Sequence, residues 1–231
     1  IYTNSKETAA LIPVDAVQQI EGTDRASITL SKGATLKQQA IEIHHNQTKI
    51  KTQGVKGDEA GAGGVEMVAD EIRLIKPSIT SETRDGDAGD VMIKSNNTFL
   101  QAGKIYSISG ASGKTAAVKF MKNKPSEKSM FEVFRGGKII SDAKSTGSGS
   151  DISIEHDEMQ WKSMNINTKA LGDGEGARLL VKGKKLVTNG KITSTSKNGG
   201  DIIIEVDDVA IKSGRISSKG GDIRVKAKVL K

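Results

Sequence analysis

The stretch NGGDIIIEVDDVAIKSGRISSKGGDIRVKA, Asn198 to Ala227, states Gly-Gly-Asp-Ile at Gly199 and again at Gly220, 21 residues later, with Ile-x-Ser-Gly-x-Ile between. Self-similarity at a period of about 20 to 50 residues belongs to solenoids, propellers and arrays, so it constrains the fold before any single residue does. The phrase recurs without gaps in GSDISIEHDEMQWKSMNINT (Gly149 to Thr168) and AGDVMIKSNNTFLQAGKI (Ala88 to Ile105). GGVEMVADEIRLIKPSIT (Gly63 to Thr80) repeats it with Pro77 in the slot of Gly214, and AIEIHHNQTKIKTQGV (Ala40 to Val55) is the faintest copy.

The first apolar residue of each copy gives the markers Ile41, Val65, Val91, Val118, Ile152, Leu179, Ile202 and Ile223, with steps of 24, 26, 27, 34, 27, 23 and 21 residues. Each copy reads apolar-x-apolar, a gap, apolar-x-apolar, then Gly-x-Ile. Alternation with period two in short Ile- and Val-rich runs predicts strands with one buried face. The glycines and Gly-Asp pairs predict corners, because Gly reaches backbone angles closed to other residues. Three short strands and three corners make one coil of a single-stranded parallel β-helix. Stacking at roughly 4.8 Å, about eight coils make an all-β rod about 40 Å long.

Composition agrees: aromatics are 3% of 231 residues, which suits a slender core of Ile, Val and Leu. Only KETAALIPVDAVQQIEG (Lys6 to Gly22) has mixed spacing, interrupted by Pro13. Residues 1–38, including the strand-like ASITL (Ala26 to Leu30), are expected to cap the coil stack or form an irregular first coil, with the repeats filling 39–231. The chain has no cysteine, no apolar run near the length of a membrane span and no signal peptide, and it begins with Ile, as a processed product or fragment does.

GDAGDVMIKSNNTFLQAGKIYSIS (Gly86 to Ser109) and GGDIIIEVDDVAIKSGRISS (Gly199 to Ser218) resemble the repeats of filamentous-haemagglutinin-type exoproteins. The resemblance covers roughly Gly63 to Lys231 and implies a right-handed β-helical adhesin shaft exported by two-partner secretion, secreted or held at a bacterial cell surface. The Asn-Pro-Asn-Leu and Asn-Pro-Asn-Gly motifs of that family's secretion domain are missing. The chain is then shaft or stand-alone relative rather than exported leader.

Candidate chemistry is sparse. Asp90, Asp151, Asp201 and Asp222 fall in one ladder, with Arg178 between Asp151 and Asp201. A short carboxylate can bond the backbone of its own turn, and that reading is preferred to catalysis or metal binding. Corners such as KGDEAGAGG (Lys56 to Gly64), RDGDAGD (Arg84 to Asp90) and LGDGEGA (Leu171 to Ala177) gather carboxylates among glycines. The oxygen set that calcium needs is conceivable there, yet solvated corners suffice, and no metal or cofactor is expected. His45 and His156 share the register of Val206 but lie roughly 19 Å apart at four coils' spacing, too far for one metal. The charge of +7 rests on 28 Lys and 7 Arg dispersed without interleaved aromatics, a pattern of solubility rather than of specific nucleic-acid readout.

The long step from Val118 to Ile152 holds VKFMKNKPSEKSMFEVFRGGK (Val118 to Lys138), with Phe120, Phe131 and Phe134. Insertions in solenoids emerge as loops, and such loops often bind. Met121, Lys122, Lys124, Lys128 and Met130 are therefore the candidate binding residues, free of the packing that commits every coil. The plainer alternative has Phe120 and Phe134 filling core slots while Met121 to Met130 makes a polar excursion. Trp161 shares the slot of Leu100 and Ile211 and is expected in the core. The function expected is a structural or adhesive rod. Its partner would be a host or bacterial cell-surface receptor or glycan, or copies of itself in a filament, and the rod would not span a membrane. The alternative is a carbohydrate-active β-helix enzyme, a polysaccharide lyase or hydrolase.

Overall fold

The computed structural model describes residues 63–231, apart from 85, 111, 112, 145 and the side chain at 171. It also describes backbone strands at Tyr2–Thr3, Ala9–Leu11, Val17–Gln19, Ile28–Leu30, Ala40–His44 and Lys49–Gln53. The fold is an all-β parallel solenoid in which each turn contributes three strands. First strands such as Val65–Val68, Val91–Lys94, Val118–Met121 and Ile152–Glu155 stack in parallel. Second strands such as Glu71–Ile75, Asn97–Gln101, Met130–Phe134 and Glu158–Trp161 do the same, as do third strands from Ser78–Thr83 to Arg215–Lys219. In Leu179–Thr188 and Ile202–Ile211 the chain runs through the first corner as one continuous strand.

The markers from Val65 onward pair one to the next: Val65, Val91, Val118, Ile152, Leu179, Ile202 and Ile223 form one ladder. Ile154, Val181 and Ile204 form the ladder beside it. All but Ile223 are at most 1% exposed. Period-two alternation thus becomes a dry interior of branched side chains, each worth roughly 1.5–3 kcal/mol of transfer free energy.

Ile41 is the exception. It pairs with Ile72, a second-strand position, whereas Ala9 pairs with Val65 in the first ladder. The alternation of Ala40–His44 suits either face, so periodicity alone cannot say which. With Ile41 outside the first ladder and Ile223 opening a turn that has no third strand, the expected eight coils become about six complete turns. The expected mixed segment Lys6 to Gly22 contains strands Ala9–Leu11 and Val17–Gln19, and the latter pairs antiparallel with Ile28–Leu30.

The third strand carries a ladder that apolar periodicity does not show. Ser81, Ser107, Ser141, Thr168 and Ser194 stack in register and are at most 2% exposed. Thr168 Oγ1 donates to Ser194 Oγ at 2.9 Å, and Thr115 and Ser141 share a bond of 2.7 Å. The neighbouring corner packs closely on this ladder: a Cβ on Gly200 would lie 2.5 Å from Ser194 Oγ.

At the second corner glycine supplies the unusual backbone angle in part, at Gly136 and Gly214, and other residues supply it too. Lys76, Ala102, Arg135 and Ser163 take positive φ there, between 50° and 59°. Gly103, which follows Ala102, is required by space instead, since a Cβ would lie 2.5 Å from Leu100 Cδ1 and 2.6 Å from Pro77 Cδ.

Charge is layered, not dispersed, on the first two strands of the later turns. Asp151 to Trp161 carries Asp151, Glu155, Asp157 and Glu158 with no lysine or arginine; Arg178 to Thr188 carries Arg178, Lys182, Lys184 and Lys185 with no carboxylate. Asp201 to Ile211 returns to Asp201, Glu205, Asp207 and Asp208 with no cation. Register sets the signs opposite each other, as in Glu155↔Lys182↔Glu205 and Glu158↔Lys185↔Asp208. Directly opposed unlike charges each contribute a few tenths of a kcal/mol, roughly up to 1, and like charges oppose pairing.

Candidate functional site

The long step after Val118 is a loop of eight residues, Lys122 to Ser129, at the first corner, between strands Val118–Met121 and Met130–Phe134. Met121 and Met130 are thus strand ends, half-buried on the outer face, and not loop residues. Strand register places Phe131 inward against Thr98 and Met159, and Val133 against Leu100 and Trp161. Phe120 and Phe131 are therefore the core rings. Phe134 points outward, with Arg135 and Lys162 each 5.3 Å from its ring, which corrects the expected core slot for Phe134. Trp161 is buried as expected.

Large rings gather in the core at the strands that flank the loop. Phe120 stacks on Phe131 at 4.7 Å between centroids, and Phe131 meets Trp161 edge-on at 6.1 Å and His156 at 5.8 Å. Such pairs add about 0.5–1.5 kcal/mol beyond their burial.

The loop is tied down in both directions. Lys124 Nζ reaches Asp70 at 3.0 Å and Asn123 Nδ2 donates to the same carboxylate at 3.1 Å. Asn96, nearly buried, donates to Glu127 at 2.8 Å and accepts from the Lys124 N–H at 3.0 Å. Toward the next turn, Lys128 pairs with Glu158 at 2.7 Å and Lys122 with Asp157 at 2.6 Å. These bonds raise the pKa of Lys124 and Lys128 and lower that of Glu158. The candidate lysines therefore bracket neighbouring turns, and the loop does not escape packing. Its exposed tip is Pro125 to Lys128.

Asp157, 5% exposed, is the anchor that sequence reasoning missed. Its Oδ2 accepts from the Ser129 N–H at 3.0 Å and Oγ at 3.3 Å, and Lys184 approaches its Oδ1 at 3.1 Å. Burial by itself would raise its pKa, but the bonds from Lys122, Lys184 and Ser129 outweigh it and hold the carboxyl at about 2.

Beside it, His156 takes the slot of Gly183 and is 1% exposed, with no hydrogen-bond partner for either ring nitrogen among the described residues. Burial, reinforced by the charge of Lys122 and opposed by Asp157, lowers its pKa from 6.5 to about 4. The folded state thus takes up its proton later than the unfolded chain, so stability falls as pH drops from about 6.5 to about 4. His156→Val, matching the chemistry of Val206 in the same slot, is expected to flatten the melting temperature over this window and to raise it at pH 5. Unchanged pH dependence in thermal melts would show that His156 does not carry it.

Between loop and coils lies an open cleft of about 410 Å³ lined by Met121, Lys122, Pro125, Glu155, His156 and Lys182, among others. Among the described residues no group of three or more His, Asp and Glu gathers closely enough to hold a metal ion. His45 and most of the corner Lys56 to Gly64 lie outside the described residues.

The ladder aspartates bond the next turn and not their own. Asp90 accepts from Ala117 N–H at 3.0 Å, Asp151 from Arg178 N–H at 3.1 Å, and Asp201 from Asp222 N–H at 2.9 Å. The expected own-turn bond gives way because the next turn's N–H stands directly over the carboxylate. Asp87 does the same toward Lys114 N–H at 2.8 Å. Asp173 of the last glycine-rich corner pairs with Lys197.

Comparison with family models, with curated proteins and with solved structures gives no match.

Proposed function

We propose that the protein is an extracellular structural or adhesive rod that meets a cell-surface receptor or glycan at the corner loop Lys122 to Ser129. The observation that carries this is the loop's construction. The loop lifts Pro125, Ser126, Glu127 and Lys128 into solvent over a cleft and is held there by ion pairs to turns on both sides. A rigidly mounted, exposed segment loses little conformational freedom on binding. The cleft lining sets Lys122, Lys182 and Lys184 against Glu155 and Asp157, a small positive balance that favours an anionic group, such as the carboxylate of an acidic sugar.

The test is to change only the tip: Pro125→Gly, Glu127→Ser and Lys128→Ser in one variant, keeping Lys122, Lys124 and Ser129. The melting temperature is expected to fall by no more than a few degrees, because Lys128 and Glu127 hold exposed pairs. Attachment to cells or to immobilised acidic glycans is expected to fall about tenfold or more, the effect of losing roughly 1.4 kcal/mol of contact. Full attachment by this variant overturns the reading. Depolymerisation of acidic polysaccharides by the purified protein overturns it as well, in favour of a carbohydrate-active enzyme.

A further inference from the structure

The side of the rod at the second corner does not share the alternation of charge. Segments 75–80, 101–106, 134–140, 161–167 and 188–193 carry that corner into the third strand in five successive turns, and they contain six cations and no carboxylate. Lys104, Lys138 and Lys191 stand in one outward row with Ser78 and Asn165. Lys76, Arg135 and Lys162 stand beside that row, at the corner itself. All six are exposed, and among the described residues none pairs with a carboxylate. Directly opposed like charges, such as Lys104 and Lys138, oppose strand pairing, so the fold gains nothing from this row. A cleft of about 210 Å³ opens among these cations, lined by Lys104, Arg135, Lys138, Gly136 and Gly137, among others. Its corner holds three residues between Phe134 and Lys138, where the turn before holds two between Gln101 and Lys104. The extra residue and the missing side chains of Gly136 and Gly137 give an anionic group room beside three cations.

We infer that this face binds the phosphate backbone of duplex nucleic acid without reading its sequence. Four spacings of roughly 4.8 Å between five turns set six cations over about 19 Å, or about one per 3–4 Å, against a phosphate every 3.4 Å or so along one strand of a duplex. A polysaccharide with one carboxylate per sugar is charged more sparsely. Five of the six cations are lysines, which meet phosphates as point charges and lack the planar fork that reads a base. Outward rings are few: Phe134 is flanked by Arg135 and Lys162, and Tyr106 is half-buried, so the bases of a single strand find no platform for stacking. The loop Lys122 to Ser129 stands at the first corner and this face at the second, so the two proposals stand or fall independently.

The test titrates the whole chain into a labelled duplex of about 20 base pairs and follows fluorescence anisotropy against salt. With about five phosphates engaged, affinity is expected to fall several hundredfold between about 50 and 200 mM salt, equally for unrelated sequences. Lys104→Gln, Lys138→Gln and Lys191→Gln together are expected to reduce the slope of log affinity against log salt by about 3 and to leave the melting temperature unchanged or slightly higher. A matched variant, Lys94→Gln, Lys119→Gln and Lys197→Gln, removes the same charge from lysines paired with Glu66, Asp90 and Asp173, and is expected to keep the parent's slope. Equal loss of binding in both variants shows an effect of net charge and overturns the proposal, as does no binding at the lower salt. Tighter binding of dextran sulfate than of the duplex, lost in the first variant, overturns it in favour of a sulfated glycan.

Discussion

Ile154→Asp is expected to remove cooperative folding from the middle of the rod. Ile154 is fully buried between Phe120 of the turn before and Val181 of the turn after, on strands paired on both sides. A carboxylate there has no partner in an aliphatic and aromatic core, so it must enter charged at a prohibitive cost or protonated at several kcal/mol. The loss is expected to reach about 4 kcal/mol or more, the range reserved for buried unpaired charge. Because each turn contacts only its neighbours, the damage should split the unfolding transition into separate steps instead of lowering one melting temperature. Lys219→Asp, at the exposed end of strand Arg215–Lys219, is expected to change stability by less than about 0.5 kcal/mol. Calorimetry and circular dichroism of the two variants decide this, and equal melting curves would refute the inward register.

Asp157→Ala should be the next most damaging change. It leaves the Ser129 N–H without an acceptor, removes the partner of Lys122 and Lys184, and frees the C-terminal foot of the loop. Breaking a buried pair from one side costs about 3–5 kcal/mol. Because Lys122 and Lys184 are 24% and 73% exposed and recover water, the lower end of that range is expected. The carboxyl's folded pKa of about 2 lies below the ordinary value of 3.8, so its contribution is complete above about pH 4 and is lost as pH falls through about 2. Urea titrations at pH 7 and pH 2 should therefore show a large gap between parent and variant at the first pH and a smaller one at the second. An equal gap at both would mean that Asp157 acts by packing alone.

The turn order from Val65 to Ile223 is readable in the sequence because inward positions must be apolar and alternate, and the glycine-aspartate corner marks where each count begins. Ile41 misleads since a five-residue alternating strand fits two faces equally, and only its partner, Ile72, decides. The Ser81 to Ser194 ladder stays hidden because small polar residues on a buried face look like surface until their stacking is known. Of the candidate site, the loop's place was legible from the 34-residue step between Val118 and Ile152. Its anchoring was not: Asp157 and Asp70 reach it from turns on either side, and no repeat aligns an insertion with its neighbours.

The charge layers also bear on how the rod assembles. Ile152, Leu179 and Ile202 are nearly interchangeable, so the apolar ladder alone would let a folding chain skip a turn and stack the segment from Asp201 directly on that from Asp151. That mistake sets Glu205 over Glu155 and Asp207 over Asp157 at roughly 4.8 Å, like charge on like charge. The alternation thus works as a parity check on the growing stack. From Asp151 onward it rejects a register that omits one turn, while the hydrophobic interior supplies most of the cohesion and none of the counting.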